Sequence, residues 1–358
     1  MNSVLVTGGA GYIGSHTCKA LSRAGYAPVT YDNLVHGHEW AVKWGPLEKG
    51  DILDTSRLSE VISAYKPSAV VHFAAFAYVG ESVEDPAKYY RNNVAGTLSL
   101  LDAMRQNGVN KIVFSSSCAT YGVPNTVPIS EDAPQNPINP YGASKLMIER
   151  ILGDYGDAYG LRNVSLRYFN AVGADPEGEL GEEHDPETHL IPLVLDVAAG
   201  RRPHIAVFGD DYDTPDGTCI RDYIHVGDLA DAHVLAMKRL SGGFLRRAYN
   251  LGTGRGTSVA QVIDAARAVT GQDIRVVMGA RRSGDPPVLL ADPSKAKADL
   301  GWVTRYPEIA NSIGTAWRWS VAAQPNDVAT SDRTNAQKPS SPISPSQQSS
   351  SSSSINES

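Results

Sequence analysis

The sequence predicts an α/β fold in which a doubly wound parallel sheet is followed by a smaller C-terminal α/β domain. Short apolar runs alternate with amphipathic segments through the first half of the chain. These runs are residues 4–6, 29–31, 69–73, 112–114 and 164–166. Strands that are apolar throughout are typical of parallel sheets covered by helices on both faces.

Composition divides the chain into three predicted parts. Residues 1–175 carry the regular alternation and form the first domain. After a loop rich in Gly, Pro and acidic residues, residues 176–323 form the second domain, with some segments returning to the first. Residues 324–358 contain an unbroken serine run and almost nothing apolar. Such a segment cannot bury enough surface to offset its ordering entropy, so we expect a disordered tail.

Composition also limits the classes of function. The chain has 358 residues, 42% hydrophobic and 20% charged, as is ordinary for a soluble enzyme. A net charge of −7 argues against nucleic acid or an anionic membrane surface as the main partner. No apolar run approaches the roughly 18 residues of a membrane span, and the first residues enter a strand pattern rather than a signal peptide.

Cysteine usage indicates a reducing, cytoplasmic compartment. Cys18, Cys118 and Cys219 are widely spaced and odd in number, which does not suit a disulfide framework. None lies in a Cys-x-x-Cys pair, so no structural zinc site and no metal are expected.

A glycine-rich turn follows the first predicted strand and opens the first predicted helix. Its glycines allow a tight turn and a close backbone approach, and the helix N-terminus then faces the pyrophosphate of a dinucleotide. This strand–turn–helix context predicts a Rossmann dinucleotide-binding domain. The residues of the turn that we expect at the cofactor are Gly8, Gly11, Tyr12, Ile13 and Gly14.

Asp32 closes the second predicted strand, about 20 residues after the turn. A carboxylate there accepts hydrogen bonds from both hydroxyls of the adenosine ribose and repels a 2′-phosphate, which favours NAD over NADP. The alternative is an Asx turn at the end of the strand. Further cofactor contacts are predicted beside Asp32 and at the ends of later strands, at Asn33, Asp51, Ile52, Phe73 and Ala74.

Tyr141 and Lys145 lie four residues apart, about one helical turn, so both side chains project from one face of a helix. A cation beside a phenol favours the phenolate and lowers the phenol's pKa from about 10 towards working pH. The pair is therefore a candidate general base. Tyr-x-x-x-Lys alone occurs in many surface helices, but behind a dinucleotide-binding turn it predicts an active site.

Four motifs together resemble the extended short-chain dehydrogenase/reductase family. They are the glycine-rich turn, Ser115-Ser116-Ser117 before Tyr121-Gly122, the Tyr141/Lys145 pair, and Arg167-Tyr168-Phe169-Asn170. Within this family, residues 79–82, 221–226 and 281–285 resemble the UDP-glucose 4-epimerases. The resemblance covers the chain from residue 2 to about residue 320 and excludes the serine-rich tail.

The resemblance implies a catalytic set of Ser117, Tyr141 and Lys145. Ser117 would hydrogen-bond the sugar oxygen, Tyr141 would take the proton of the 4′-hydroxyl, and Lys145 would bind the nicotinamide ribose. With the positive nicotinamide, Lys145 would also depress the pKa of Tyr141. NAD would stay bound while C4 is oxidised and then reduced from the opposite face. Further cofactor contacts implied in this way are Asn92, Ser115 and Phe169.

The resemblance also implies a UDP-sugar substrate. Arginine forks suit a diphosphate, and an aromatic ring can lie against uracil. The implied substrate-binding residues are Ser117, Asn170, Leu190, Phe208, Arg221, Tyr223, Arg282, Asp285 and Leu289, and the choice between Arg281 and Arg282 is open.

Three residues depart from the family pattern. Ala77 stands where some members carry a lysine near the cofactor phosphates, and His189 stands where asparagine is common. Leu289 occupies the position that gates N-acetylated sugars, and its intermediate size leaves tolerance of an acetamido group open.

Other activities remain open at this stage. A UDP-xylose/UDP-arabinose or UDP-N-acetylhexosamine 4-epimerase would use the same chemistry. A nucleotide-sugar dehydratase or decarboxylase needs an acid beside the catalytic serine, where this chain has Cys118, Ala119 and Thr120. A non-catalytic NAD-sensing protein would not need the complete Ser–Tyr–Lys set.

The resemblance also implies a homodimer through helices near residues 89–104 and 140–152, whose outer faces equally suit packing within the domain.

Overall fold

Thirteen strands and eleven α-helices are present in the computed structural model, which describes residues 2–242, 246–281 and 285–322. The strands are β1 (Ser3–Thr7), β2 (Ala27–Asp32), β3 (Leu47–Lys49), β4 (Ala69–His72), β5 (Lys111–Ser117), β6 (Arg162–Tyr168), β7 (Asn170–Val172), β8 (Ile205–Phe208), β9 (Ile220–His225), β10 (Arg246–Leu251), β11 (Gly256–Ser258), β12 (Val276–Gly279) and β13 (Val288–Leu289). The helices are α1 (Tyr12–Arg23), α2 (Thr55–Tyr65), α3 (Val79–Glu84), α4 (Pro86–Tyr89), α5 (Gly96–Gln106), α6 (Pro140–Tyr159), α7 (Leu190–Ala198), α8 (Val226–Ser241), α9 (Val259–Thr270), α10 (Ser294–Leu300) and α11 (Ile309–Ala322).

Seven strands form one parallel sheet in the order β3-β2-β1-β4-β5-β6-β10. This is the doubly wound order of dinucleotide-binding folds, with the crevice where the order reverses beside β1. The predicted fold class is therefore confirmed. Thr7 pairs with both Tyr31 and His72, so three strands end at the same edge. The glycine-rich turn, Asp32 and Phe73 lie together there.

The core of the sheet explains its uniformly apolar strands. Val4 and Val6 pack on one face with side chains of α1 and α8, whereas Leu5 packs on the other face with side chains of α2, α5 and α6. Successive strand residues point to opposite faces, so a strand covered on both sides needs apolar residues at every position. Leu5 is fully buried, which stabilises the fold by about 1.5–3 kcal/mol relative to exposure.

The later part of the chain forms two smaller sheets. In one, β9 pairs with β7, β11 and β13, and the other joins β8 to β12. Ile191, Val194, Val262 and Ile313 form a separate core among α7, α9 and α11. Meanwhile β10 joins the large sheet and α8 packs on it. All described residues belong to one compact unit, Met1–Ala323, and a domain boundary at residue 175 stays a prediction.

Two predicted helices differ in detail from the structure. The helix expected near residues 89–104 consists of α4, a wider π-helical segment (Tyr90–Ala95) and α5. The helix expected at residues 140–152 continues to Tyr159, because α6 ends only where Gly160 adopts a left-handed conformation with φ of 70°.

Among the described residues, no helix has both the length and the apolar character required to cross a bilayer. The serine-rich tail lies outside the described residues.

Candidate functional site

The glycine-rich turn is closed so tightly that side chains are excluded. Gly8 has φ of +72°, and a Cβ there would lie 2.6 Å from the backbone nitrogen of Ala74. A Cβ on Gly14 would overlap the carbonyl oxygen of Gly8. Gly11 caps the start of α1 without a side-chain hydrogen bond. The turn therefore leaves the positive end of α1 to a ligand, an arrangement that suits a pyrophosphate.

Asp32 is tied to this turn. Its carboxylate accepts hydrogen bonds from the backbone N–H of Ala10 at 3.0 Å and of Leu34 at 2.9 Å. The contact with Leu34 is the Asx turn that the sequence suggested as an alternative. The contact with Ala10 joins Asp32 to the glycine-rich turn. Burial raises the pKa of Asp32, against the opposing effect of these hydrogen bonds. Beside it, the Asn33 amide donates to Asp51 at 3.0 Å, so the structure brings these predicted contacts together.

Two polar groups near the turn were missed by sequence reasoning. Nε2 of His36 and the hydroxyl of Tyr78 are buried and have no hydrogen-bond partner among the described residues. Their rings lie 5.4 Å apart, and a Cβ on Gly37 would lie 3.0 Å from the Asp32 carboxylate. Unpartnered buried polar groups are costly, so a polar ligand at this position would stabilise them. No motif marks His36, but Tyr78 directly follows Ala77, where the family pattern is broken.

Ser117, Tyr141 and Lys145 meet at the carboxyl end of β5. The Ser117 and Tyr141 side chains lie close enough to interact, and this contact lowers the pKa of the phenol. Lys145 is buried, donates to the carbonyl oxygen of Ser115 at 2.8 Å, and lies 5.8 Å from the centre of the Tyr141 ring. Asn139 caps α6 by accepting from the Gly142 N–H at 2.8 Å, which fixes where the tyrosine and lysine face.

The expected depression of the Tyr141 pKa by Lys145 is wrong for the chain by itself. Burial raises the pKa of Tyr141 to about 12, against the opposing effect of the neighbouring Ser117 hydroxyl. Burial lowers the pKa of Lys145 to about 7, against the opposing effect of Glu149. Desolvation disfavours both charged forms, so the helical spacing alone does not produce a phenolate. A phenolate at neutral pH requires additional positive charge from a bound ligand.

Glu149 is a second residue that sequence reasoning missed. It lies on α6 one turn beyond Lys145, accepts from Arg167 on β6 at 2.6 Å, and accepts from the Ser116 hydroxyl at 2.5 Å. Arg167 also donates to the Tyr121 hydroxyl at 2.8 Å. This buried network fixes α6 against β5 and β6. The repeated four-residue spacing of positions 141, 145 and 149 is the signal that identifies Glu149.

The predicted substrate side is built around β9. Arg221 donates to the Asp285 carboxylate at 2.5 Å, and Tyr223 is buried. Asp222, which lies between Arg221 and Tyr223 in the sequence, is fully buried. Its carboxylate accepts hydrogen bonds from the backbone N–H groups of Thr253, Gly254 and Ala291. Asp222 therefore fixes the direction in which its two neighbours project.

A small apolar cluster joins the catalytic and substrate sides. Phe169 is one of its buried members, and Cys118 and Leu289 pack against it. Cys118 follows Ser117, Leu289 pairs with Arg221, and Asn170 pairs with Tyr223.

Most of the other predicted site residues lie at strand and helix ends or in the core, and one lies outside the described residues. Phe208 ends β8 and is 39% exposed, and Leu190 opens α7 directly after His189. The Asn92 amide donates to Asn93, and the Ser115 hydroxyl hydrogen-bonds the hydroxyl of Tyr168. Ile52 is buried, and Phe73 packs on His233. Arg282 lies outside the described residues, while Arg281 is paired with Asp211.

The sheet order, the closed glycine-rich turn and the Ser–Tyr–Lys set together define an α/β enzyme of the dinucleotide-binding class. Residues 4–252 match the model of the NAD dependent epimerase/dehydratase family. The chain belongs to this family.

Named relatives agree with this assignment. The UDP-glucose 4-epimerase of Rhizobium meliloti (strain 1021) is 56% identical over 318 residues, covering 89% of this chain and 97% of the relative. A crystal structure of UDP-glucose 4-epimerase from Brucella ovis in complex with NAD is 61% identical, with a TM-score of 0.87 and coverage of 89% and 98%. The Bifidobacterium longum UDP-glucose 4-epimerase in complex with NAD+ and UDP is 41% identical, with a TM-score of 0.85 and coverage of 89% and 98%.

Proposed function

We propose that this chain is an NAD-dependent isomerase that interconverts UDP-galactose and UDP-glucose by inverting C4 of the sugar. The observation that carries the proposal is the convergence of Ser117, Tyr141 and Lys145 at the sheet edge that also holds the glycine-rich turn. The similarity to UDP-glucose 4-epimerases over 89% of the chain supports the sugar substrate.

The chain offers a site that fits NAD. The closed turn and the N-terminus of α1 would hold the pyrophosphate, and Asp32 would accept from the adenosine ribose. The unpartnered His36 and Tyr78 groups would donate to polar atoms of the cofactor. When bound, NAD supplies the hydride acceptor and donor for C4. The Brucella ovis relative contains NAD in its crystal structure.

Tyr141 acts as the general base that accepts the proton from the sugar. Its phenolate takes the proton of the 4′-hydroxyl while Ser117 hydrogen-bonds the same oxygen. C4 loses a hydride, so the sugar becomes a 4-ketone and Tyr141 is protonated. Because burial alone holds the pKa of Tyr141 at about 12, the tyrosine becomes a competent base only beside added positive charge. The cofactor's oxidised ring would provide that charge.

Inversion requires the sugar to turn between the two transfers. Arg221 would hold the diphosphate, and partly exposed Phe208 would lie against the uracil. The anchored nucleotide leaves the 4-keto hexose free to rotate about its bond to the diphosphate. Hydride and proton then return to the opposite face of C4 and to the oxygen, which restores the starting enzyme.

We propose further that the chain acts as a homodimer. Val83 on α3 is 63% exposed and Met147 on α6 is 43% exposed, and both lie on or near the helices implied by the family resemblance. Exposed apolar side chains on neighbouring helices suit a subunit contact. Light scattering should give twice the chain mass for the wild type, and a Val83→Glu/Met147→Glu double variant should be monomeric. A monomeric wild type at micromolar concentration would disprove this part.

A cytoplasmic location is proposed as well. Cys18, Cys118 and Cys219 are all free thiols, and two of them are buried. Free thiols suit a reducing compartment. Fractionation of cells that express the chain should find it with cytoplasmic markers, and recovery in a membrane or secreted fraction would contradict the proposal.

The activity is tested with a panel of UDP-glucose, UDP-galactose, UDP-GlcNAc, UDP-GalNAc, UDP-xylose and UDP-arabinose, with products separated by chromatography. The expected result is UDP-glucose from UDP-galactose with the highest kcat/KM of the panel. Preferential conversion of a pentose or an acetamido sugar would favour the corresponding alternative. Loss of water or of CO2 from the substrate would reject epimerisation.

A further inference from the structure

Four potential metal ligands meet in the loop between β7 and α7, outside the Ser–Tyr–Lys set. They are Glu182, His184, Glu187 and His189, and one ligand atom from each lies within 4.8 Å of the others. All four lie within eight consecutive residues, in the pattern Glu-x-His-x-x-Glu-x-His. The sequence argument against a metal site considered only cysteine pairs. It therefore missed a cluster made of histidine and glutamate.

Several distances in the cluster are close to those between the ligands of a tetrahedral ion. Nδ1 of His184 lies 3.5 Å from Glu182 and 3.4 Å from Glu187. Nδ1 of His189 lies 2.8 Å from Glu182 and 3.3 Å from Glu187. Zinc bonds of about 2.0–2.1 Å place the ligands of a tetrahedron about 3.3–3.4 Å apart. The separations of His184 from Glu182 and Glu187 are close to this spacing, and the His189–Glu182 contact must open. Glu187 faces His184 with Oε2 and His189 with Oε1, so its carboxylate must turn to offer one oxygen to the ion.

One ligand atom lacks any other role. Nδ1 of His184 is buried and has no hydrogen-bond partner among the described residues, although it faces two carboxylates. Glu182 and Glu187 are also largely enclosed, with side chains 8% and 15% exposed. Against the effect of desolvation, hydrogen bonds to Glu182 and Glu187 raise the pKa of His189 to about 10, so a divalent cation binds here by displacing the His189 proton. His189 is 51% exposed, which leaves a path for the ion to enter.

We propose that Glu182, His184, Glu187 and His189 bind one divalent transition-metal ion, with Zn2+ as the best-fitting member of that class. Imidazole and carboxylate ligands in a tetrahedral set suit zinc. The His184 ring packs edge-on against Tyr12 at 6.3 Å and Tyr78 at 6.2 Å. The bound ion therefore holds the loop against the glycine-rich turn, and its role is structural rather than catalytic.

The test measures metal binding directly on the full chain. Protein stripped with chelator is titrated with ZnCl2 by calorimetry, and Co2+ is used as a spectroscopic probe of geometry. We expect one ion per chain, an increase in Tm on zinc addition, and the visible absorption typical of tetrahedral Co2+. His184→Gln and Glu187→Gln should each weaken zinc binding by about tenfold or more, since even the loss of an outer-shell partner has that effect.

Glu177→Gln is the matched control. Glu177 belongs to the neighbouring acidic group of Asp175, Glu177 and Glu179, which already surrounds the ammonium of Lys19. This variant should retain wild-type zinc affinity. The proposal is overturned if the wild type shows no saturable zinc binding, if both ligand variants bind normally, or if the control loses affinity equally. The wild-type stoichiometry decides the question even if a variant fails to fold, and it does not depend on the proposed epimerase activity.

Discussion

At the residue scale, Tyr141 and Lys145 have pKa values shifted in opposite directions by one cause. Burial raises the pKa of the phenol to about 12 and lowers that of the ammonium to about 7. Both shifts favour the neutral forms. Without a ligand, Tyr141 is therefore a protonated phenol and cannot act as a base at neutral pH. The positive charge of the oxidised cofactor ring is what lowers its pKa in this account.

A fall in the Tyr141 pKa on addition of NAD+ is the first prediction. The positive ring placed beside the phenol stabilises the phenolate, so the pKa should drop clearly below about 12. Phenolate absorbance is titrated with and without NAD+, and the Tyr141→Phe titration is subtracted to remove the other tyrosines. An unchanged difference titration would contradict the proposed charge coupling.

Removal of the phenol tests its role in turnover. Tyr141→Phe should lower kcat for UDP-galactose by about 10²–10⁴-fold, the usual contribution of a positioned general base, with UDP affinity unchanged. Tyr159→Phe is the control, since Tyr159 lies on the same helix and is 58% exposed. Near-normal turnover by Tyr141→Phe would reject this residue as the base.

At the element scale, the joint between β1 and α1 depends on the lack of a side chain at Gly14. A Cβ there would overlap the Gly8 carbonyl oxygen, which is backbone and cannot swing aside. Gly14→Ala should therefore abolish NAD binding measured by calorimetry. In the control, Gly314→Ala, the nearest side chain to an added Cβ is that of Arg318 at 3.8 Å, so the methyl group fits. Normal NAD affinity in Gly14→Ala would show that the turn is not the cofactor site.

The ion pair between α6 and β6 has a predicted energetic role. Glu149 and Arg167 are 9% and 7% exposed, and removal of one partner leaves a buried charge. Glu149→Ala should lower the free energy of unfolding by about 3–5 kcal/mol, as measured with urea. Glu308→Ala breaks the exposed pair with Arg255 and should cost at most about 1 kcal/mol. Equal effects of the two variants would contradict the assigned role.

Elements differ in how far the sequence predicts them. The strands of the large sheet are buried on both faces, so apolar runs such as residues 4–6 identify them. By contrast, β13 has only two residues and exists because it pairs with β9, a long-range contact that no local pattern shows. The π-helical segment at Tyr90–Ala95 was likewise not predicted, because its residues have ordinary helical character.

The candidate site was predictable where spacing determines geometry. The glycine-rich turn, Asp32 and the Tyr141/Lys145 pair follow from local sequence. The pKa of Tyr141 does not, because it depends on the desolvation produced by the surrounding fold. His36 and Tyr78 were missed for a related reason, since only the assembled structure shows their polar atoms to be buried without partners.

At the scale of the whole molecule, buried histidines predict how stability depends on pH. Burial lowers the pKa of His16 and His233 to about 4 and of His72 and His225 to about 3. In the unfolded chain a histidine has a pKa near 6.5. Between these values the unfolded state binds more protons, so stability falls as pH drops below about 6.5, by up to about 1.4 kcal/mol per pH unit for each histidine.

Urea unfolding at about pH 7 and about pH 5 measures this effect. The midpoint should be lower at the acidic pH, and His233→Gln should reduce the difference, since its Nε2 is buried without a partner among the described residues. A midpoint that is unchanged or higher at pH 5 would show that these histidines do not govern acid stability.

The central claim is that C4 is inverted by removal and return of the same hydride within the site formed by Ser117, Tyr141 and Lys145. The isotope content of the product tests it most directly, with UDP-galactose carrying deuterium at C4 as the substrate in ordinary water. The account predicts UDP-glucose that retains the deuterium at C4, because the hydride never exchanges with solvent. Product that has lost the deuterium to water would contradict the account.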